Sequence, residues 1–143
     1  MIILSKTLLS KIQTHAKTDY PYECCGAMLG HIEDEKKTIT QIISLTNHWD
    51  DTSNETKHRR FQVSADDYQS IESKAAELGL QVCGFYHSHP DHPPIPSDTD
   101  LAYAWPFFSY PIISVEEGVP KQLKSYTLDM DTQVFVEESI SIQ

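Results

Sequence analysis

Between positions 87 and 100 the chain reads H-S-H-P-D-H-P-P-I-P-S-D-T-D. Two histidines stand two apart, His87 and His89, and a carboxylate follows at Asp100. The residues just before them, Gln81-Val82-Cys83-Gly84-Phe85-Tyr86, form an apolar, β-prone run. In an extended strand, side chains two apart point to the same side. His87 and His89 at the end of such a strand can therefore aim two imidazoles at one point. Hydrolysis at a zinc ion needs about three protein ligands and one position left for water, and Asp100 can supply the third ligand. Taken alone, Asp100 is also a good carboxylate for the start of a helix, where the dipole favours it. His92 reads either as a fourth ligand or as part of a loop fixed by prolines. His15, His31, His48 and His58 occupy scattered polar positions and carry no such spacing.

The elements that would position these residues alternate along the chain. Ile2 to Leu4 reads as a short strand. Ser5 then caps a helix whose apolar stripe is Leu8, Leu9, Ile12 and Ala16, and Tyr20-Pro21 stops it. Glu23 to His31 and Thr38 to Leu45 read as a hairpin across the charged turn Glu33-Asp34-Glu35-Lys36-Lys37. From Thr46 to Arg60 the pattern is polar and aperiodic, a loop, and Phe61-Gln62-Val63 is a short strand. Ser64-Ala65-Asp66-Asp67 starts a second helix with Tyr68, Ile71, Ala75 and Leu78 on its apolar face and Gly79 at its end. Val82 to His87 is the central, motif-bearing strand. Pro96-Ser97 opens a third, shorter helix containing Asp98 and Asp100. Tyr110 to Val115, Leu123 to Leu128 and Val134 to Ile140 complete the set as strands. Trp105 and Phe107-Phe108 are expected in the core. Helices interleaved with strands and hairpins predict a mixed sheet with helices packed on it, in a single domain over 1–143.

Composition narrows the function classes. Hydrophobic residues make up 39% and charged residues 22%, an ordinary globular profile. Eleven basic against 21 acidic residues give a formal net charge of -10. That balance argues against nucleic acid or an anionic membrane as the main partner. The apolar start Met1-Ile2-Ile3-Leu4 lacks the basic end and long core of a signal peptide, and no run has the length of a membrane span. The three cysteines, Cys24, Cys25 and Cys83, form no C-x-x-C pair. A cytoplasmic protein with reduced, buried thiols is expected.

His87-Ser88-His89-Pro90, followed by Ser97 and Asp100, resembles the JAMM motif of the MPN-domain metalloproteases: a distant glutamate, H-x-H, seven residues, then S-x-x-D. The distant glutamate matches Glu23, within Pro21-Tyr22-Glu23-Cys24-Cys25-Gly26-Ala27-Met28-Leu29-Gly30. The likeness also takes in Gly84-Phe85-Tyr86-His87 and the step Arg59-Arg60-Phe61. It weakens after about Ser114. The resemblance implies an α/β MPN fold, a mixed β-sheet sandwiched by helices and similar to cytidine deaminases. It implies one zinc ion held by His87, His89 and Asp100. It implies that Glu23 acts as general base and acid, and that Ser97 donates a hydrogen bond to the oxyanion. A deaminase itself would need H-x-E and P-C-x-x-C, which this chain lacks.

Members of that family cleave peptide or isopeptide bonds after the terminal Gly-Gly of ubiquitin-like proteins. The short chain resembles the prokaryotic stand-alone branch, several members of which act on sulfur carriers of the ubiquitin fold. The expected function is therefore a zinc-dependent peptidase or isopeptidase acting on a ubiquitin-fold protein with a Gly-Gly tail. The alternatives are a non-catalytic MPN scaffold, a subunit that needs a partner to become active, and a cysteine peptidase using Cys24 or Cys25.

Overall fold

The computed structural model describes residues 1–47 and 64–143. The expected short strand Phe61-Gln62-Val63, His48, His58, the Arg59-Arg60-Phe61 step and most of the polar stretch after Thr46 lie outside the described residues. Strand β1 (Ile2–Leu4) leads into helix α1 (Lys6–Asp19). Ser5 sits in extended backbone and its hydroxyl accepts the Leu8 N–H at 3.1 Å. Such a cap contributes about 1 kcal/mol. Burial of Leu8 and Ile12 contributes about 1.5–3 kcal/mol each, so packing of the Leu8, Ile12, Ala16 face holds this helix more than its cap does. Helix α2 (Ala65–Leu78) starts at Ser64, whose hydroxyl accepts the Asp67 N–H. It ends where Gly79 takes the left-handed conformation, φ 68°.

The remaining strands are β2 (Cys25–Glu33), β3 (Lys36–Leu45), β4 (Gln81–Pro90), β5 (Ser109–Glu116), β6 (Val119–Leu128), β7 (Phe135–Glu138) and β8 (Ile140–Ile142), with the short helix α3 (Asp98–Ala102) between β4 and β5. Among the described residues, eight strands form one mixed sheet in the order β7-β6-β5-β4-β2-β3-β1-β8. The motif strand β4 lies inside it, antiparallel to β2 and parallel to β5. One buried cluster, with Leu8, Ile12, Met28, Tyr86 and Ile113, lies under α1. A second, with Ala27, Leu29, Ile71, Ala75 and Phe85, lies under α2. Tyr86 and Phe85 point into different clusters because neighbours on a strand face opposite ways. A Cβ on Gly26 would come within 2.2–2.3 Å of the Tyr86 ring, so the ring occupies space that only glycine leaves.

Several placements depart from the expectations. The last strand divides at Ser139: β7 pairs with β6, while β8 pairs in parallel with β1 at the other end of the strand order. A period-two pattern shows which side faces a core, not which strand lies alongside. Lys37, expected in a charged turn, is 8% exposed; its ammonium donates to the Phe107 carbonyl at 2.7 Å and the Ser109 hydroxyl at 2.9 Å. Among the aromatics expected in the core, Phe108 does pack against Phe85, with ring centroids 5.5 Å apart. Trp105 and Phe107 are instead 67% and 75% exposed. Phe107 has φ 76°, a left-handed conformation rare for a bulky residue, and its carbonyl serves the buried Lys37. Among the described residues no helix is long and apolar enough to cross a membrane.

His15 joins α1 to the sheet. Its Nε2 lies 3.2 Å from the Asp19 carboxylate and its Nδ1 2.7 Å from the Tyr86 hydroxyl. An Nε2–H donated to Asp19 leaves Nδ1 to accept from Tyr86, which requires the neutral ring. Burial pushes the His15 pKa below its ordinary 6.5, against the opposing pull of Asp19. The unfolded chain therefore binds the proton more readily than the native one, so this contribution is complete above pH 6.5 and is lost as pH falls below it. Thermal midpoints between pH 7.5 and 5 should fall less steeply for His15→Gln than for the native chain; equal slopes would show that His15 titrates alike in both states.

Candidate metal centre

The chemistry gathers at the C-terminal end of β4. His87 and His89 face the same side, as their spacing predicts, and each is 1% exposed. Their Nε2 atoms are 3.1 Å apart. Ser97 starts α3 with a full capping box: its hydroxyl accepts the Asp100 N–H at 3.1 Å, and Asp100 Oδ2 accepts the Ser97 N–H at 2.8 Å. The same carboxylate reaches back to the strand. Asp100 Oδ1 lies 3.2 Å from His87 Nε2, and Oδ2 lies 3.2 Å from His89 Nε2. Asp100 is thus both a helix-start carboxylate and a neighbour of the two imidazoles.

These separations fit a tetrahedral cation. Ligand atoms at about 2.0–2.1 Å from zinc stand about 3.3 Å from one another in a tetrahedron. The 3.1 Å between the two nitrogens, and the 3.2 Å from each nitrogen to its own Asp100 oxygen, are of that order. His89 Nδ1 is 2.8 Å from the Pro93 carbonyl. A carbonyl only accepts, so Nδ1 carries the proton and Nε2 keeps its lone pair toward the cluster. Burial holds the His89 pKa below its ordinary value, with His87 adding to it, so the ring is neutral near pH 7. Burial by itself would raise the Asp100 pKa. The His87 ring and the hydrogen bonds to the carboxylate, that of the Ser97 N–H among them, outweigh it and hold the carboxyl well below the usual range. Two imidazole nitrogens and a carboxylate make a donor set that could hold a metal ion such as zinc.

Glu23 lies two residues ahead of β2 rather than on it. Cys25 pairs across the ladder with His87, and Glu23, two residues before Cys25, approaches the same cluster. Glu23, His87 and His89 each offer a ligand atom within 4.8 Å of the others, and this buried group could hold a metal ion. The backbone around Glu23 is pinned on several sides. Asn47 Nδ2 donates to the Glu23 carbonyl at 3.2 Å. The Cys24 N–H donates to the Ser88 hydroxyl at 2.8 Å, and the Ser88 N–H returns a bond to the Cys24 carbonyl at 3.1 Å. Neither Ser88 nor Asn47 stood out in the sequence. Ser88 had a signal, since the residue between two same-face histidines must face the opposite way, toward the other core.

His92 is placed beside His89. The two rings stack with centroids 4.1 Å apart, and His92 Nδ1 lies 2.9 Å from the Pro90 carbonyl. His15 belongs to the α1 contact described above, and His31 is exposed on β2. The cysteines do not offer a nucleophile. All three are buried and free. Burial raises the Cys24 pKa to about 12 and that of Cys25 further, so both thiols stay protonated.

Residues 5–129 match the family of prokaryotic homologs of the JAB domain. The chain belongs to this family. It is similar to the desampylase of Haloferax volcanii, 31% identical over 109 residues that span 76% of this chain and 73% of that protein. A solution structure of a protein from Desulfitobacterium hafniense superposes with a TM-score of 0.84 at 27% identity, covering 100% of this chain and 93% of the other. The JAB1/MPN domain protein of Archaeoglobus fulgidus superposes with a TM-score of 0.62 over 100% of this chain and 97% of its own, and at 19% identity this likeness concerns the fold. The α/β MPN fold expected from the motif is the one observed: a mixed sheet with α1 and α2 on its two faces. Within it the JAB/MPN chain carries a buried His-His-Glu group consistent with a metalloprotease site.

His89→Ala should abolish metal uptake measured by elemental analysis, while Cys24→Ala and Cys25→Ala retain it. Full metal content in a folded His89→Ala protein would move the site elsewhere, and inactivation by a thiol reagent without metal loss would restore the cysteine alternative.

Proposed function

We propose that this chain is a zinc-dependent peptidase or isopeptidase that hydrolyses the bond after the C-terminal Gly-Gly of a ubiquitin-like or sulfur-carrier protein. The observation that carries the reading is the cluster of His87 Nε2, His89 Nε2 and the two Asp100 carboxylate oxygens, with contacts of 3.1–3.2 Å and buried Glu23 beside it. His87, His89 and Asp100 are the residues that would hold one zinc ion. Zinc held there would supply Lewis acidity, which lowers the pKa of a water toward neutrality and polarises a carbonyl. Glu23 takes the proton from the attacking water and hands it to the leaving amine, a transfer worth about 10²–10⁴-fold in rate. The Ser97 oxygen is already an acceptor for the Asp100 N–H, which leaves its O–H proton to donate to the oxyanion.

The family and the exposed apolar side chains near the motif support this substrate class. The similarity to a desampylase supports a ubiquitin-like protein as substrate. Glycines at the scissile bond let a main chain approach a recessed centre closely. Strand β4 has neighbours on both sides, so pairing with an extended tail would use a segment other than the motif strand. Tyr22, Ile95 and Tyr103, close in sequence to Glu23, Ser97 and Asp100, are exposed apolar side chains suited to a protein surface.

The test is intact-mass analysis of a ubiquitin-fold sulfur carrier extended beyond its Gly-Gly, incubated with the native chain or with Glu23→Gln. The native chain should cleave after the second glycine. Glu23→Gln should lose at least about 10²-fold in rate and keep its zinc, because it removes the base and not a ligand. Loss of zinc from Glu23→Gln would make Glu23 a ligand instead, and zinc-loaded native chain that cleaves neither extended nor isopeptide-linked carriers would favour a scaffold.

A further inference from the structure

Segment 91–97 joins the histidine strand to Ser97 and Asp100, so the two parts of the centre depend on it for their spacing. It is held from outside at two points, one near each end. At the first, Asp91 adopts φ 58°, a left-handed conformation that a non-glycine residue keeps only when its surroundings enforce it. Its N–H donates to the Val115 carbonyl at 2.6 Å. Its carboxylate accepts the Glu117 N–H at 2.8 Å through Oδ1 and the Tyr20 O–H at 2.6 Å through Oδ2. Tyr20 ends α1 and begins the short lead-in to Glu23, so one carboxylate ties that lead-in to the loop. At the second point the buried Tyr126 hydroxyl, on β6, donates to the Pro94 carbonyl at 2.8 Å. The adjacent carbonyl, Pro93, is the one that receives His89 Nδ1–H.

We propose that Asp91 and Tyr126 are positioning residues for the metal centre: they clamp segment 91–97 so that the Pro93 carbonyl meets His89 and the Asp100 carboxylate meets both imidazoles. This rests on the zinc reading above and extends it to residues outside the motif. Prolines 93, 94 and 96 stiffen the segment without supplying N–H donors, so its anchorage falls to Asp91 at one end and to the Tyr126 hydroxyl near the other. Neither Asp91 nor Tyr126 touches the ligand atoms. Their effect passes through the orientation of His89 and Asp100, the manner in which outer partners tune a metal site.

The experiment measures zinc affinity by chelator competition, well below the unfolding temperature, for the native chain, Tyr126→Phe and Asp91→Asn. Tyr126→Phe removes only a hydroxyl. Asparagine tolerates the left-handed backbone and keeps one of the two acceptor oxygens. Each variant should bind zinc about 10–100-fold more weakly and release it faster. Variants that bind zinc as tightly as the native chain, with only the metal-free thermal midpoint lowered, would overturn the clamp and leave the zinc reading intact. A native chain that binds no zinc would overturn both. Should Tyr126→Phe fail to fold, Asp91→Asn and Tyr20→Phe decide by the same criterion.

Discussion

Two imidazoles and a carboxylate held together away from water require partners for as many of their remaining polar atoms as possible, because an unpartnered buried polar group costs several kcal/mol. Here that requirement reaches well beyond the cluster. His89 can turn Nε2 inward because the Pro93 carbonyl takes its other ring nitrogen. Asp100 can lie against both histidines because the first turn of α3 fixes the carboxylate through the Ser97 N–H. A five-residue helix with no buried residue has little packing to hold it, so the capping box and the contacts to the strand are what fix its start. The centre and the helix that completes it are in this sense one structure.

The same dependence runs through β4. Its α2 side carries Phe85, His87 and His89, and its α1 side carries Tyr86 and Ser88. The side that does no chemistry still places the other. Tyr86 fills the space over Gly26 and bonds to His15 on α1, while Ser88 exchanges hydrogen bonds with Cys24 next to Glu23. Strands β2 and β5 on either side leave the motif strand no free edge and little freedom to shift register. A shift by one residue would turn both histidines into the α1 core and bring Ser88 to the cluster.

Much of this is legible in the sequence. His87 and His89 share a face because the strand period is two, the caps at Ser5 and Ser64 sit where short polar side chains precede apolar stripes, and Ser97 follows a proline and precedes two carboxylates in the first turn of α3. Local rules suffice when the interaction is local. Lys37, Trp105 and Phe107 were misplaced for the complementary reason. Lysine in a charged turn reads as solvated, and its burial arises only because the Phe107 carbonyl and Ser109 arrive from some seventy residues away. Phe107 and Trp105 read as core by type, yet Phe108 fills the place against Phe85 and Tyr68 and the backbone turns its neighbour outward.

By itself, then, the sequence determined the residue types of the centre, the common face of the two histidines, the helix that presents Asp100 and the layered α/β class. Those follow from spacing and from interactions spanning a few residues. Tertiary structure decided how far apart the imidazole and carboxylate atoms stand, how Glu23 reaches them from outside β2, and which segments hold the 91–97 loop. It also sent β7 and β8 to opposite ends of the strand order although only Ser139 separates them. The physical reason is that strand neighbours and long-range hydrogen bonds are chosen by the packing of the whole sheet, and no local pattern in the chain records them.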